Sequence, residues 1–170
     1  MRMKAQIMEP ETVVELVPKI LHPKRVLVPI DFSDTSKKAF QYALQFAKRF
    51  GCKIVLLHVI EPETSIAGTP LAVDMFAQPE EDTAAAEAEL ALLAASSGSR
   101  QTSFGSAVRI GHAPNEITKA AKEMDVDLIV IATHGYTSWR HLCIGSTAER
   151  VVRTAPCPVL VVREKEHEFV

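Results

Sequence analysis

The chain is poor in several features that would place it in other protein classes. Its 170 residues contain three cysteines, Cys52, Cys143 and Cys157, and no CxxC pair. That argues against a disulfide framework and makes a reducing cytoplasm the expected compartment. His141-Leu-Cys143 is too sparse a cluster for zinc. No apolar run approaches the ~20 residues needed to cross a bilayer, so no membrane association is expected. The first 24 residues carry charges, three prolines and no signal-like apolar core, which argues against export. Nineteen Lys and Arg stand against 21 Asp and Glu, a formal net charge of −2. Without a basic excess, nucleic acid is not an expected partner. The lysine-bearing phosphate loop GxxxxGK[ST] is also missing.

What is present is an ordinary soluble composition, 47% hydrophobic and 24% charged, in a chain long enough for one well-buried domain. From Arg25 onward, strand and helix patterns alternate. Arg25-Val-Leu-Val-Pro-Ile-Asp31 and Lys53-Ile-Val-Leu-Leu-His-Val-Ile60 are apolar on both faces, as buried parallel strands are. Between them, Ser33-Asp-Thr-Ser36 offers several helix caps, Phe40, Ala43, Leu44, Ala47 and Phe50 form an apolar stripe, and Gly51 ends the helix. Residues 62 to 78 read as a long irregular connection. An alanine-rich helix follows from about Glu80 to Ala95, acidic in its first turn. Thr102 to Ile110 reads as a less buried strand of the kind that suits a sheet edge, and Pro114 starts a helix striped by Ile117, Ala120, Ala121 and Met124. Asp127 to Ala132 is a fourth strand, Ser146 to Thr154 a fourth helix, and Pro156 to Arg163 a last strand. This order predicts an α/β fold, a doubly wound parallel sheet with helices on both faces. Before Arg25, Val13, Leu16, Val17, Ile20 and Leu21 suggest a short amphipathic piece interrupted by Pro18.

In such sheets ligands bind beyond the carboxyl ends of the strands, where strand order reverses. Two strand ends stand out: Pro29-Ile30-Asp31 and Ala132-Thr-His-Gly135. The second is followed by a loop with Trp139, Arg140 and His141, then by Gly145-Ser146 opening a helix. The unpaired first amides of a helix and its dipole suit an anion, so this corner reads as a phosphate site. Each element also has a plainer account. The glycines could be turn residues, and Ser146 with Glu149 has the spacing of a capping box. Asp31 could cap the first helix or bond nearby amides. Arg140 and His141 could be solvated, and His134 and His58 structural. Trp139 could rim the pocket or touch a second subunit.

These residues resemble the universal stress protein family over most of the chain, Arg25 to Arg163. The likeness lies in Val26-Leu-Val-Pro-Ile-Asp-Phe-Ser33, in Ile54-Val-Leu-Leu-His-Val59, and in Ala132-Thr-His-Gly135 through Gly145-Ser-Thr-Ala-Glu-Arg150 to Ala155-Pro-Cys-Pro-Val-Leu-Val-Val162. The nucleotide-binding branch has the pattern Gly-x2-Gly-x9-Gly-Ser/Thr; here Ala132 replaces the first glycine, and Gly135, Gly145 and Ser146 match the rest. The resemblance implies a Rossmann-like five-stranded sheet in the order 3-2-1-4-5 and ATP at the crevice between strands one and four. It also implies a homodimer through the last strand. Carried over, Pro29, Ile30, Asp31 and Val59 would frame adenine and ribose. Ile131, Ala132, Gly135, Gly145, Ser146 and Thr147 would hold ribose and phosphates. Mg²⁺ could accompany the ATP, held mainly by its phosphates. The division that follows is an N-terminal extension (1–24), a universal stress protein domain (25–164) and a short C-terminal tail (165–170).

The expected function is a regulatory ATP-binding module of the stress response, not an enzyme. An ATP hydrolase is opposed by the missing lysine loop and the lack of an assembled base-plus-metal set, so hydrolysis should be slow or absent. A phospho-receiver is opposed by the third strand, which ends in Gly111-His112 without an aspartate. A structural dimer module with a non-binding pocket is the remaining alternative, since apolar Val159 to Val162 invites strand pairing with a second chain.

Overall fold

A computed structural model of the chain describes residues 22–62, 79–98, 102–133 and 145–163. The strands are β1 (Arg25–Pro29), β2 (Lys53–Ile60), β3 (Phe104–Ile110), β4 (Leu128–Ala132) and β5 (Val159–Val162). The helices are α1 (Asp34–Phe50), α2 (Pro79–Ser96), α3 (Ala113–Glu123) and α4 (Ser146–Thr154). All strand pairs are parallel, in the order β3-β2-β1-β4-β5. The expected α/β class and strand order are both present.

Period-two alternation divides the central strands between two cores. Val26, Val28, Ile54, Leu56 and Val130 face α1 and α2, packing on Phe40, Ala43, Leu44 and Leu90. Leu27, Val55, Leu57, Ile129 and Ile131 face the opposite way, onto Ile117, Ala120, Ala121 and Val151 of α3 and α4. Continuous apolar runs arise because both faces of these strands are covered. The outermost strand β3 is only half-buried, as its weaker alternation predicts.

Helix ends follow their local chemistry. Ser33 is the cap chosen from the four candidates before α1, its hydroxyl accepting the Ser36 amide at 3.2 Å. Gly51 closes α1 in the left-handed region (φ 68°) and donates to the Ala47 carbonyl. Two expected stripe residues are less buried than anticipated. Phe50 is half-buried because it ends the helix, where its ring meets the edge of His22, and Met124 is half-buried at the C-cap of α3.

The capping box expected from Ser146 and Glu149 does not form. Gly145 is the N-cap (φ −60°, ψ 150°), and its carbonyl accepts the Glu149 amide at 3.0 Å. Ser146 is therefore the first helical residue, and Glu149 lies one position too far along to reach back. It pairs with Arg153 instead, at 2.8 Å.

Cys52 and Cys157 belong to opposite cores, and burial pushes both thiols up from their ordinary range. Among the described residues no helix is long and apolar enough to cross a membrane. Readings on 1–21, 63–78, 134–144 and 164–170 lie outside the described residues.

Candidate functional site

The cleft originates in a divergence of two strands. β1 stays paired with β2 through Pro29↔Leu57, but its register with β4 runs only over Val26↔Leu128 and Leu27↔Ile129. Pro29 has no amide hydrogen to offer, so the β1–β4 ladder ends beside it and the strands part. Past this point the chain turns sharply. The Ile30 amide bonds back to the Leu57 carbonyl at 2.8 Å, and Phe32 takes a left-handed conformation (φ 64°). For a bulky side chain that conformation costs roughly 1–2 kcal/mol, so the corner must be held by its neighbours.

Those neighbours can be named. Asp31 Oδ1 accepts from the Ser33 amide (3.1 Å) and from the Ser33 hydroxyl (2.5 Å). Having used its hydrogen there, Ser33 Oγ must accept from Thr35 Oγ1 at 2.9 Å as well as from the Ser36 amide. His58 Nδ1 donates to the Ile30 carbonyl at 2.7 Å, and its ring lies 4.7 Å from that of Phe32. His58 is thus a satisfied structural histidine. Asp31 bonds the amide beside it, as its plainer account anticipated, and still borders the cleft.

On the other side, β4 ends in a tie. The buried Thr133 donates its amide to the Val162 carbonyl (2.8 Å), and its own carbonyl accepts the Gly145 amide (2.7 Å). The chain therefore re-enters beside the point where it left the strand, and this sets the start of α4 against the exit of β4. The first intrahelical bond of α4 is donated by Glu149. The amides of Ser146, Thr147 and Ala148 precede it and have no carbonyl in their own helix to bond. Gly145 has no side chain to cap them, so this end carries the positive part of the helix dipole.

These pieces enclose a cleft of about 300 Å³. Its apolar surface comes from Ile30, Leu57, Val59, Ile117 and Ile131, and its polar groups include Asp31, Ser36, Glu61, Thr133, Ser146 and Thr147. Nine of the ten residues expected to form the site line this one cleft: Pro29, Ile30, Asp31, Val59, Ile131, Ala132, Gly145, Ser146 and Thr147. The tenth, Gly135, lies outside the described residues, as do His134, Trp139, Arg140, His141 and Cys143. Gly145 has a negative φ of −60°, so a turn requirement does not explain a glycine there.

Sequence reasoning missed Glu61. It lies just past β2 and reaches the start of α3, where its Oε1 accepts the Ala113 amide at 2.6 Å and His112 Nδ1 at 3.0 Å. The Ala113 bond holds its carboxyl below its ordinary range, with His112 adding to the effect. Its position at a strand exit, two residues after Val59, was the available signal. Helix α3 is itself anchored to β3 by Arg109, which pairs with Glu116 (3.4 Å) and Glu123 (2.6 Å). Among the described lining residues there is no lysine, arginine or histidine. No group of three potential metal ligands occurs among the described residues.

Comparison with known proteins agrees with this architecture. The profile described as "Universal stress protein family" matches residues 22–163. A curated relative, universal stress protein MJ0531 of Methanocaldococcus jannaschii, is 30% identical over 148 residues, 85% of each chain. The solved universal stress protein UspA from Lactobacillus plantarum is 30% identical with a TM-score of 0.70, covering 82% of this chain and 97% of that one. A universal stress protein solved in complex with cAMP shares the fold at 22% identity, with a TM-score of 0.62 and coverage of 85% and 99%.

Proposed function

The chain belongs to the universal stress protein family, and from that premise we propose that its cleft binds an adenine nucleotide, ATP foremost, as a regulatory ligand. The observation that carries the reading is the meeting, in one cleft, of the Asp31 corner with the uncapped start of α4. The bare amides of Ser146, Thr147 and Ala148, with the hydroxyls beside them, suit phosphate oxygens. The apolar surface of Ile30, Val59 and Ile131 suits a purine, and the Asp31 carboxylate suits the hydrogen-bond donors of a nucleoside. A cleft of about 300 Å³ is at the low end of small-molecule sites, which fits a nucleoside whose phosphates extend along the helix start. The family member solved with cAMP supports an adenylate as the ligand class.

Mg²⁺ arrives in this reading with the nucleotide and is held mainly by phosphate, since the described lining offers two carboxylates and no three-ligand cluster. Hydrolysis is slow or absent in this reading, because the described lining pairs no general base with a phosphate-directed cation. The regulatory unit is a cytoplasmic homodimer joined through β5, in which bound nucleotide favours one assembly that partners in the stress response recognise.

A fluorescent ATP analogue tests the site. It should saturate the wild type and the exposed-surface control Lys48→Gln, and fail to bind Gly145→Trp. Equal binding by all three would overturn the assignment. Absence of binding by the wild type would favour the rival reading, a structural module of this fold with a non-binding cleft.

A further inference from the structure

Two helix N-termini open onto the cleft, and the chain treats them differently. At α4 the cap is a glycine, and nothing from its side chain covers the first amides. At α3 the cap residue His112 makes no capping bond, and a carboxylate from another element occupies the place. Glu61 Oε1 sits 2.6 Å from the Ala113 amide and 3.0 Å from His112 Nδ1. One anion-binding end is therefore filled by an anion of the protein itself. Glu61 and Asp31 border the same cleft, whose described lining includes no lysine, arginine or histidine; His112, bonded to Glu61, stands outside that lining. Strands β2 and β4 flank β1, so their exits are two interstrand spacings apart, about 10 Å. The acidic flank and the α4 amides thus lie on either side of the β1 exit.

We propose that Glu61 is a specificity-determining residue: by holding the α3 N-terminus with a fixed carboxylate, it admits nucleotides anionic at the phosphate end alone and rejects those carrying a second anionic group on the nucleoside. The proposal rests on the nucleotide reading above. A ligand with its phosphate on α4 has its nucleoside toward β1 and β2, where a further phosphate meets two carboxylates at a helix start that has no amide left to offer. Glu61 also gives the bound molecule a direction, because reversing it places phosphate against the acids. Like charge in a confined site acts against the wrong ligand more than it favours the right one.

Competition binding on the full chain with 5′-AMP and adenosine 3′,5′-bisphosphate tests this at low ionic strength. The wild type should prefer 5′-AMP by about tenfold or more, and added salt should shrink that preference. Glu61→Gln keeps an acceptor for the Ala113 amide but loses the charge, so the preference should fall toward unity. Glu61→Ala vacates the helix start and should reduce it at least as far. A loss of structure would weaken both ligands together, whereas the proposal requires their ratio to change. An unchanged ratio in both variants with 5′-AMP still bound, or a wild type that takes both ligands equally, overturns the role of Glu61 and leaves the nucleotide site standing. A wild type that binds neither overturns the nucleotide reading and this inference with it.

Discussion

Gly145→Asp should make the protein no less stable while removing its ligand. The backbone at Gly145 (φ −60°, ψ 150°) is open to any L-residue, so the substitution brings no conformational strain. Its amide bond to Thr133 and its carbonyl bond from Glu149 involve the main chain and persist. Aspartate at an N-cap can accept from the second or third helical amide, here Thr147 or Ala148, and improves on glycine by a few tenths of a kcal/mol. Its charge at the positive end of α4 adds about 0.3–1 kcal/mol. A gain of roughly 0.5–1 kcal/mol corresponds to a melting temperature higher by about 1–4 °C in a domain of this size. The same carboxylate stands where phosphate would sit. If two charge-assisted bonds of about 1.5–3 kcal/mol each are lost, the deficit is at least ~3 kcal/mol, or about 100-fold or more in affinity. Thermal unfolding and nucleotide titration on the same preparation read both effects. Undiminished binding would refute the placement of phosphate at α4. A melting temperature lower by more than about 5 °C would refute the claim that the fold does not require glycine at this position.

Asp31→Ala removes the acceptor for both the Ser33 amide and the Ser33 hydroxyl. It should cost about 2 kcal/mol in chemical denaturation and weaken nucleotide binding as well; a change within error in both would contradict the corner described here. Glu61 has a carboxyl held below its ordinary 4.5, first by the Ala113 amide and further by His112. The folded state therefore takes up this proton less readily than the unfolded state. Its contribution is complete above about pH 4.5 and is lost as pH falls through the lower folded value. Melting temperature against pH should accordingly fall less steeply below 4.5 in Glu61→Gln than in the wild type. On β5, the Pro158 and Val162 carbonyls bond toward β4, so by the period of the ladder the Val161 amide points to the free edge. Val161→Pro should therefore convert a dimer to monomer in sedimentation without loss of fold; an unaltered dimer would exclude pairing through this strand.

Much of the fold was legible because the central strands are buried on both faces. Val26 to Val28, Ile54 to Leu57 and Ile129 to Ile131 read as unbroken apolar runs, and helices striped by Ala43, Ala47, Ala120 and Ala121 alternate with them. The convergence of the residues near 30 with those near 131 and 145–147 was legible too, since strand order places β1 beside β4. What escaped the sequence is set by three-dimensional detail. The pair Ser146 and Glu149 has capping-box spacing, but the cap is decided by where the chain leaves Thr133, and the Gly145 amide bond fixes it one residue earlier. Glu61 reaches a helix start some fifty residues away in sequence, a contact that no local pattern encodes. The left-handed Phe32 is likewise imposed by tertiary bonds, in a place where local preference would put glycine or asparagine.

Isothermal titration of the purified wild-type chain with ATP, ADP and AMP addresses the central claim most directly. The account predicts saturable heat with one adenine nucleotide bound per chain, reduced about 100-fold or more in affinity by Gly145→Asp. No saturable binding of any of the three would contradict it.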